Sequence, residues 1–276
     1  AQGGDGGAPV RWIRERIVLI LGIGVLAYTF IPIAVVVLMS FNQPRSEQSK
    51  LYRFEAFTLD NWLHPCNDPS MCEAVARSMG IGLASTVVAT ILGTLLAFAL
   101  VRHDFVARSS MNLLIFLPMA SPEIVMGSSL LALFVAAGFA GQLGVWTILI
   151  AHIMFCLSFV VVTVRARLAG MDDTLEAAAM DLYATPRETF WRVTFPLVLP
   201  GIVGAALLAT SLSFDDFIIT NLNAGNTTTF PMYVWGVSRR TVPMQVNVVG
   251  TLMLVILIAI VLGGEWGRSR AVKALV

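Results

Sequence analysis

Six mostly apolar stretches, each about twenty residues or longer, constrain this chain more than any other feature. They fall at 17–41, 74–101, 111–136, 142–164, 197–221 and 246–264. Hydrocarbon about 30 Å thick requires roughly 20 apolar residues of helix to cross it. Only helices and closed barrels satisfy their backbone groups in lipid, and runs of this length are helical. The expected fold class is therefore all-α, a polytopic membrane protein of six transmembrane helices. Composition agrees: 57% of the 276 residues are apolar and 13% are charged, about half the charge of an ordinary soluble domain. A signal-peptide core is shorter than 17–41, so this segment is expected to remain as the first span.

An even number of spans puts both termini on one side. That side collects Arg11, Arg14, Arg16, Arg102, Arg108, Arg165, Arg167, Arg187, Arg192, Arg268, Arg270 and Lys273. The other side has Arg45, Lys50, Arg53, Arg77, Arg239 and Arg240. The positive-inside rule then predicts cytoplasmic termini. Neither Lys50 nor Lys273 follows a GxxxxGK[ST] run, so the chain has no phosphate-cradling loop of that type. Any ATP hydrolysis is expected to belong to another subunit, and no cofactor or metal is assigned to this one. No nucleophile–base pair, HExxH or GxSxG points to an enzyme.

Three regions are expected: 1–72 as tail, first span and external loop; 73–264 as a five-helix core; 265–276 as a second cytoplasmic tail. The external loop holds Cys66 and Cys72, spaced closely enough for a local disulfide in an oxidising compartment. Free thiols are the alternative. Gly80, Gly82, Gly201 and Gly204 are expected where helix backbones approach closely. His152, alone in mid-span, reads as a hydrogen-bonded packing residue.

Charges in hydrocarbon are costly and mark partners or wet paths. Glu123 lies in LPMASPEIVMG at 117–127, between the helix-breaking Pro118 and Pro122 and Gly127. Asp215 and Asp216 lie in SFDDF at 213–217, about five residues, or ~7 Å, from the outer end of the fifth span. Adjacent acids raise each other's pKa unless a cation is near, which argues for a cationic passenger. Phe214, Phe217, Tyr233 and Trp235 offer faces to an amine. An interhelical polar contact is the competing role for the acids.

Between the fourth and fifth spans, about 168–196, the chain reads EAAAMDLYATPRETFWRVTFPLVLP over 176–200. It predicts a short amphipathic helix, a turn at Thr185 and Pro186, a second helical turn, and prolines that restart the next span. This loop resembles the EAA loop of type I ABC-importer permeases, whose pattern is E-A-A, three residues, G, nine residues, I-x-L-P. Anchored on the later half, Tyr183 stands at the family's Gly, Val193 at its Ile, and Phe195 and Pro196 at its Leu-Pro. Ala177 then occupies the family's Glu position, with Glu176 one residue early. The resemblance implies a coupling helix, about 176–192, that seats on a cytoplasmic ATPase through Glu176, Ala177, Ala178, Asp181, Tyr183, Ala184 and Pro186.

SFDDF, PEIVMG and TTTFPMYVWGVSRR at 227–240 are similar to the C-type permeases of spermidine/putrescine importers. That likeness implies a second permease, two copies of an ATPase that uses ATP and Mg, an external polyamine-binding protein, and no nucleic acid. The location implied is the bacterial inner membrane. The same architecture serving iron, thiosulfate or an opine, and a proton-coupled secondary transporter, are the other readings.

Overall fold

The computed structural model describes residues 8–45, 53–172, 174–239 and 242–273, with 8–15 and 265–273 described as helical backbone. Lys50, Arg240 and Thr241 lie outside the described residues. Twelve α-helices follow one another among those described: α1 (Ala8–Met39), α2 (Asp60–Leu63), α3 (Pro69–Arg102), α4 (Arg108–Ala120), α5 (Glu123–Ala136), α6 (Val145–Ala169), α7 (Thr174–Asp181), α8 (Pro186–Thr189), α9 (Phe195–Asp215), α10 (Ile218–Asn223), α11 (Phe230–Ser238) and α12 (Met244–Lys273). Among the described residues the sole strand-like pairing is the isolated bridge between Asn42 and Phe57.

Among the described residues five helices are long and apolar enough to cross a bilayer, or six if one bent pair is counted as a single span. The bent pair is α4 and α5, which the sequence reading took as one continuous span over 111–136. They meet at 111°. The cause is Pro122, whose ring pushes the preceding residue out of the helical region. Ser121 is accordingly extended, with ψ 139°. Pro118, also expected to break the helix, stays inside α4.

The fifth span differs too. It stops at Asp215 rather than 221, because Asp216 is extended with ψ 124°. Asp215 and Asp216 therefore sit at the helix end, not five residues inside it. At the other end, no restart occurs at Pro196. A π turn, Phe190–Thr194, joins α8 to α9, and Phe195 donates its N–H to the Phe190 carbonyl. This five-residue closure carries the helix up to the proline without a gap.

The chain divides into two compact units, Ala1–Pro69 with Val237–Val276, and Ser70–Gly236. In the first, α1 packs along α12, and the polar loop after α1 is fastened by a buried amide. Asn42 donates Nδ2–H to the Arg53 carbonyl at 2.9 Å and accepts the Glu55 N–H at 2.9 Å. Asn61 donates to the carbonyls of Ser40 and Asn42, and Phe41 stacks on Phe57 and Trp62.

The second unit holds the main core. Ala97 and Leu100 of α3, Phe134 of α5, Val160 and Val164 of α6, and Ala205 and Ala209 of α9 all belong to it. More than half of the apolar stretch of α6 is buried within the chain, and none of that of α1. In lipid, apolar surface alone gives little drive to associate, so close backbone approach matters most. A Cβ at Gly93 would lie 2.6 Å from Val160 Cγ1, and one at Gly201 would lie 2.7 Å from Arg167 Cγ. Gly82 also faces a neighbour, Ser213 Oγ, at 3.9 Å, whereas Gly80 and Gly204 have nothing within 4 Å.

Candidate functional site

Two helix breaks in the second unit face each other. Glu123 begins α5 immediately after the Pro122 bend, and Asp215 ends α9. Between them lies a cavity of about 400 Å³ lined by Glu123, Phe155, Leu212, Asp215, Asp216, Phe217 and Ile218. A helix N-terminus carries partial positive charge and favours a carboxylate, which suits Glu123. The C-terminal end of α9 presents carbonyls left without helical partners, which suits a cation. The site therefore offers acidic groups and carbonyl oxygens beside the apolar side chains of Phe155, Leu212, Phe217 and Ile218.

All three acids singled out in the sequence meet here, but they are not equivalent. Glu123 and Asp215 are exposed, and Asp216 is buried. Oδ2 of Asp216 accepts the Thr220 N–H at 2.7 Å and the Thr220 hydroxyl at 2.8 Å, and Oδ1 accepts the Ile219 N–H at 3.4 Å. Asp216 thus caps α10, satisfying amides that would otherwise be orphaned at its start. Its second partner is His152, whose Nε2 lies 3.4 Å from Oδ2.

His152 is indeed a hydrogen-bonded packing residue, and it is also the hub of a buried polar chain. Nδ1 lies 2.6 Å from Ser213 Oγ and Nε2 lies 2.8 Å from Thr220 Oγ1. Since Thr220 gives its hydroxyl proton to Asp216, its oxygen accepts from Nε2–H, which assigns the tautomer. Ser213 continues to Ser85 at 3.0 Å, so α3, α6, α9 and α10 share one network. The sequence reading missed the link between His152 and Asp216. The local signal was an Asp followed at the fourth position by Thr, a pattern suited to capping a new helix.

The aromatic residues divide differently from expectation. Phe217 lines the cavity, and Trp235 packs against it with rings tilted by 39° and centroids 5.3 Å apart. Phe214 packs on Phe230 at 5.8 Å, and Tyr233 is buried. Neither Phe214, Tyr233 nor Trp235 is among the residues that line this cavity.

The loop between α6 and α9 has the short helix, the turn and the second helical turn that the sequence predicts, and it runs into α9 without the predicted restart. Asp172 accepts the Thr174 N–H at 2.9 Å where α7 starts. The Thr174 hydroxyl, and then its amide, hold the Asp172 carboxyl below the usual range. The chain leaves α7 through Tyr183, whose φ of 65° makes it the one non-glycine residue of positive φ among those described. Ala184 N–H returns to the Ala179 carbonyl at 3.1 Å and Tyr183 N–H to that of Met180 at 2.9 Å, which is a Schellman stop with tyrosine where glycine is usual. Thr185 then caps α8: Glu188 N–H reaches its Oγ1, and its own N–H reaches Glu188 Oε2. Ala177, Ala178, Asp181, Tyr183 and Pro186 are exposed, and Glu176 and Ala184 are partly buried. Cys66 and Cys72 are disulfide-bonded, and Cys156 is a buried free thiol.

Residues 89–265 match the family model described as the binding-protein-dependent transport system inner membrane component. The chain is 34% identical over 238 residues to the spermidine/putrescine transport system permease protein PotC of Haemophilus influenzae, covering 86% of this chain and 90% of that one. It is 37% identical over 248 residues to the putrescine transport system permease protein PotI of Escherichia coli, covering 87% and 85%. Among solved structures, a bacterial ABC transporter involved in import of the acidic polysaccharide alginate aligns over 98% of this chain and 99% of its own, with TM-score 0.59 and 16% identity. The MetNI methionine ABC transporter in inward-facing conformations aligns over 76% and 99%, with TM-score 0.53 and 18% identity. At such identities the two structures speak for the fold alone.

Proposed function

The chain belongs to the family of binding-protein-dependent transport system inner membrane components, and from that premise we propose that it forms half of the path of an ATP-driven polyamine importer. The relatives named as putrescine and spermidine/putrescine permeases support the passenger. The observation that carries the proposal is the cavity in which Glu123 and Asp215 face a shared space walled by Phe155, Leu212, Phe217 and Ile218. With Asp216 paired to His152, the two exposed acids remain for the ammonium groups of a diamine or triamine, and the apolar wall suits its methylenes. Phe217 supplies a ring face to an ammonium group.

The chain performs no chemistry in this reading. A second permease completes the path, two copies of an ATPase consume ATP with Mg, and an external binding protein delivers the polyamine. The distribution of arginines supports cytoplasmic termini in the inner membrane. That orientation puts α7 and α8 on the ATPase side, where the exposed Ala177, Ala178, Asp181, Tyr183 and Pro186 serve as the docking face. In the outer loop, Cys66 and Cys72 are assigned to one local bridge.

The test is uptake of labelled putrescine and spermidine by proteoliposomes containing the purified complex. Asp215→Asn and Glu123→Gln should each lower uptake at limiting polyamine about tenfold, the factor for one lost charge-assisted contact. Wild-type uptake by the double variant would remove the acids from the path. Uptake by the chain alone, without ATP, would overturn the importer reading.

A further inference from the structure

Glu176 is turned away from the face that α7 offers to a partner. On this helix Ala177, Ala178 and Asp181 are exposed, whereas Glu176 and Ala179, one turn apart, point inward. A single carboxylate oxygen, Oε1, takes two hydrogen bonds from two other elements. Arg102, the last residue of α3, donates from Nη2 at 2.6 Å. Thr194, the last residue of the π turn, donates from Oγ1 at 2.7 Å. The Glu176 side chain is 17% exposed and that of Arg102 30%, and Thr194 is buried. The loop helix, the end of the second span and the start of the fifth therefore meet at one atom.

Beside this junction lies a cavity of about 410 Å³ bordered by Leu95 and Phe98 of α3, Met180 of α7, and Phe190 and Thr194 of the π turn. Besides these polar contacts, α7 packs on α8 and the π turn. The π turn is itself a rare form, concentrated at functional sites. A displacement of α7 reaches α9 through Glu176 and Thr194, and reaches α3 through Glu176 and Arg102.

We infer that Glu176 is a positioning residue: it clamps the loop helix to the second and fifth spans and transmits its movement, while other residues of the loop touch the ATPase. This rests on the reading above that α7 and α8 seat on an ATPase. It departs from the sequence expectation, in which Glu176 is part of the docking face.

The clamp is tested in the purified complex by measuring polyamine uptake per ATP hydrolysed, with the ATPase recovered beside each variant as a separate readout. Glu176→Gln should lower uptake per ATP about tenfold, the effect of weakening a charge-assisted hydrogen bond, with the ATPase recovered in wild-type amount. Thr194→Val, close to isosteric, should give a smaller loss of about threefold, and the exchange R102E with E176R should return uptake per ATP to within about threefold of wild type. Loss of the ATPase in step with uptake would place Glu176 on the docking face instead. Wild-type uptake per ATP in both Glu176→Gln and Thr194→Val, or an exchange that restores nothing, would also overturn the clamp. Amide hydrogen exchange across 174–182 gives an answer independent of the solute. It should quicken in Glu176→Gln even if the complex carries something other than a polyamine, and unchanged exchange would refute the clamp alone.

Discussion

Replacing His152 by alanine should destabilise this protein more than most single changes in a membrane span, and the loss should depend on Asp216. The imidazole stands 3.4 Å from Asp216 Oδ2, 2.6 Å from Ser213 Oγ and 2.8 Å from Thr220 Oγ1. Both side chains of this contact are at most 3% exposed. Removing one partner of a buried pair costs about 3–5 kcal/mol, because the other charge is left in low dielectric. Asp216 would keep the Thr220 hydroxyl and the amides of Thr220 and Ile219, which puts His152→Ala near the lower end, about 3 kcal/mol. Asp216→Asn removes the charge but keeps one oxygen to cap α10, so about 2 kcal/mol is expected. In the double variant no charge is left unpaired, and the combined loss should fall short of the sum by about 1.5 kcal/mol or more. Unfolding free energies in mixed micelles titrated with SDS measure all four corners of this cycle. Losses that add to within about 0.5 kcal/mol would show that the two residues do not act on each other.

Two further outcomes follow from the loop. Tyr183 holds the left-handed conformation at the end of α7 and is 96% exposed, so Tyr183→Gly sheds strain without losing packing. It should stabilise the turn by about 1 kcal/mol, read as slower exchange of the Tyr183 and Ala184 amides, and faster exchange in the glycine variant would refute the strain. Asp172 is held below the usual carboxylate range by Thr174, so its contribution is present above its unfolded pKa and is lost as pH falls through the lower folded value. Exchange at the Thr174 amide, corrected for intrinsic rate, should therefore rise relative to Ala178 as pH drops below about 4, and Asp172→Asn should abolish that dependence.

The number of spans and their approximate places were legible in the chain because each rests on a local quantity: bilayer thickness sets a length of apolar residues. The place of Tyr183 came from the resemblance to the EAA loop, and its positive φ fits the glycine of that pattern. The acids at Glu123, Asp215 and Asp216 were legible locally too, since charge within an apolar run is conspicuous one residue at a time. The end of the fifth span was not, because 217–220 remain apolar enough to extend it and nothing local marks Asp216 as the stop. Only the fold brings His152 of α6 against Asp216, turning one of two adjacent acids into a buried cap and leaving Asp215 to the cavity. The fold likewise turns Glu176 inward to Arg102 and Thr194. Hydropathy and helix periodicity report what each segment must bury, but which polar groups meet depends on contacts between segments far apart in the chain, and those are decided when the helices pack.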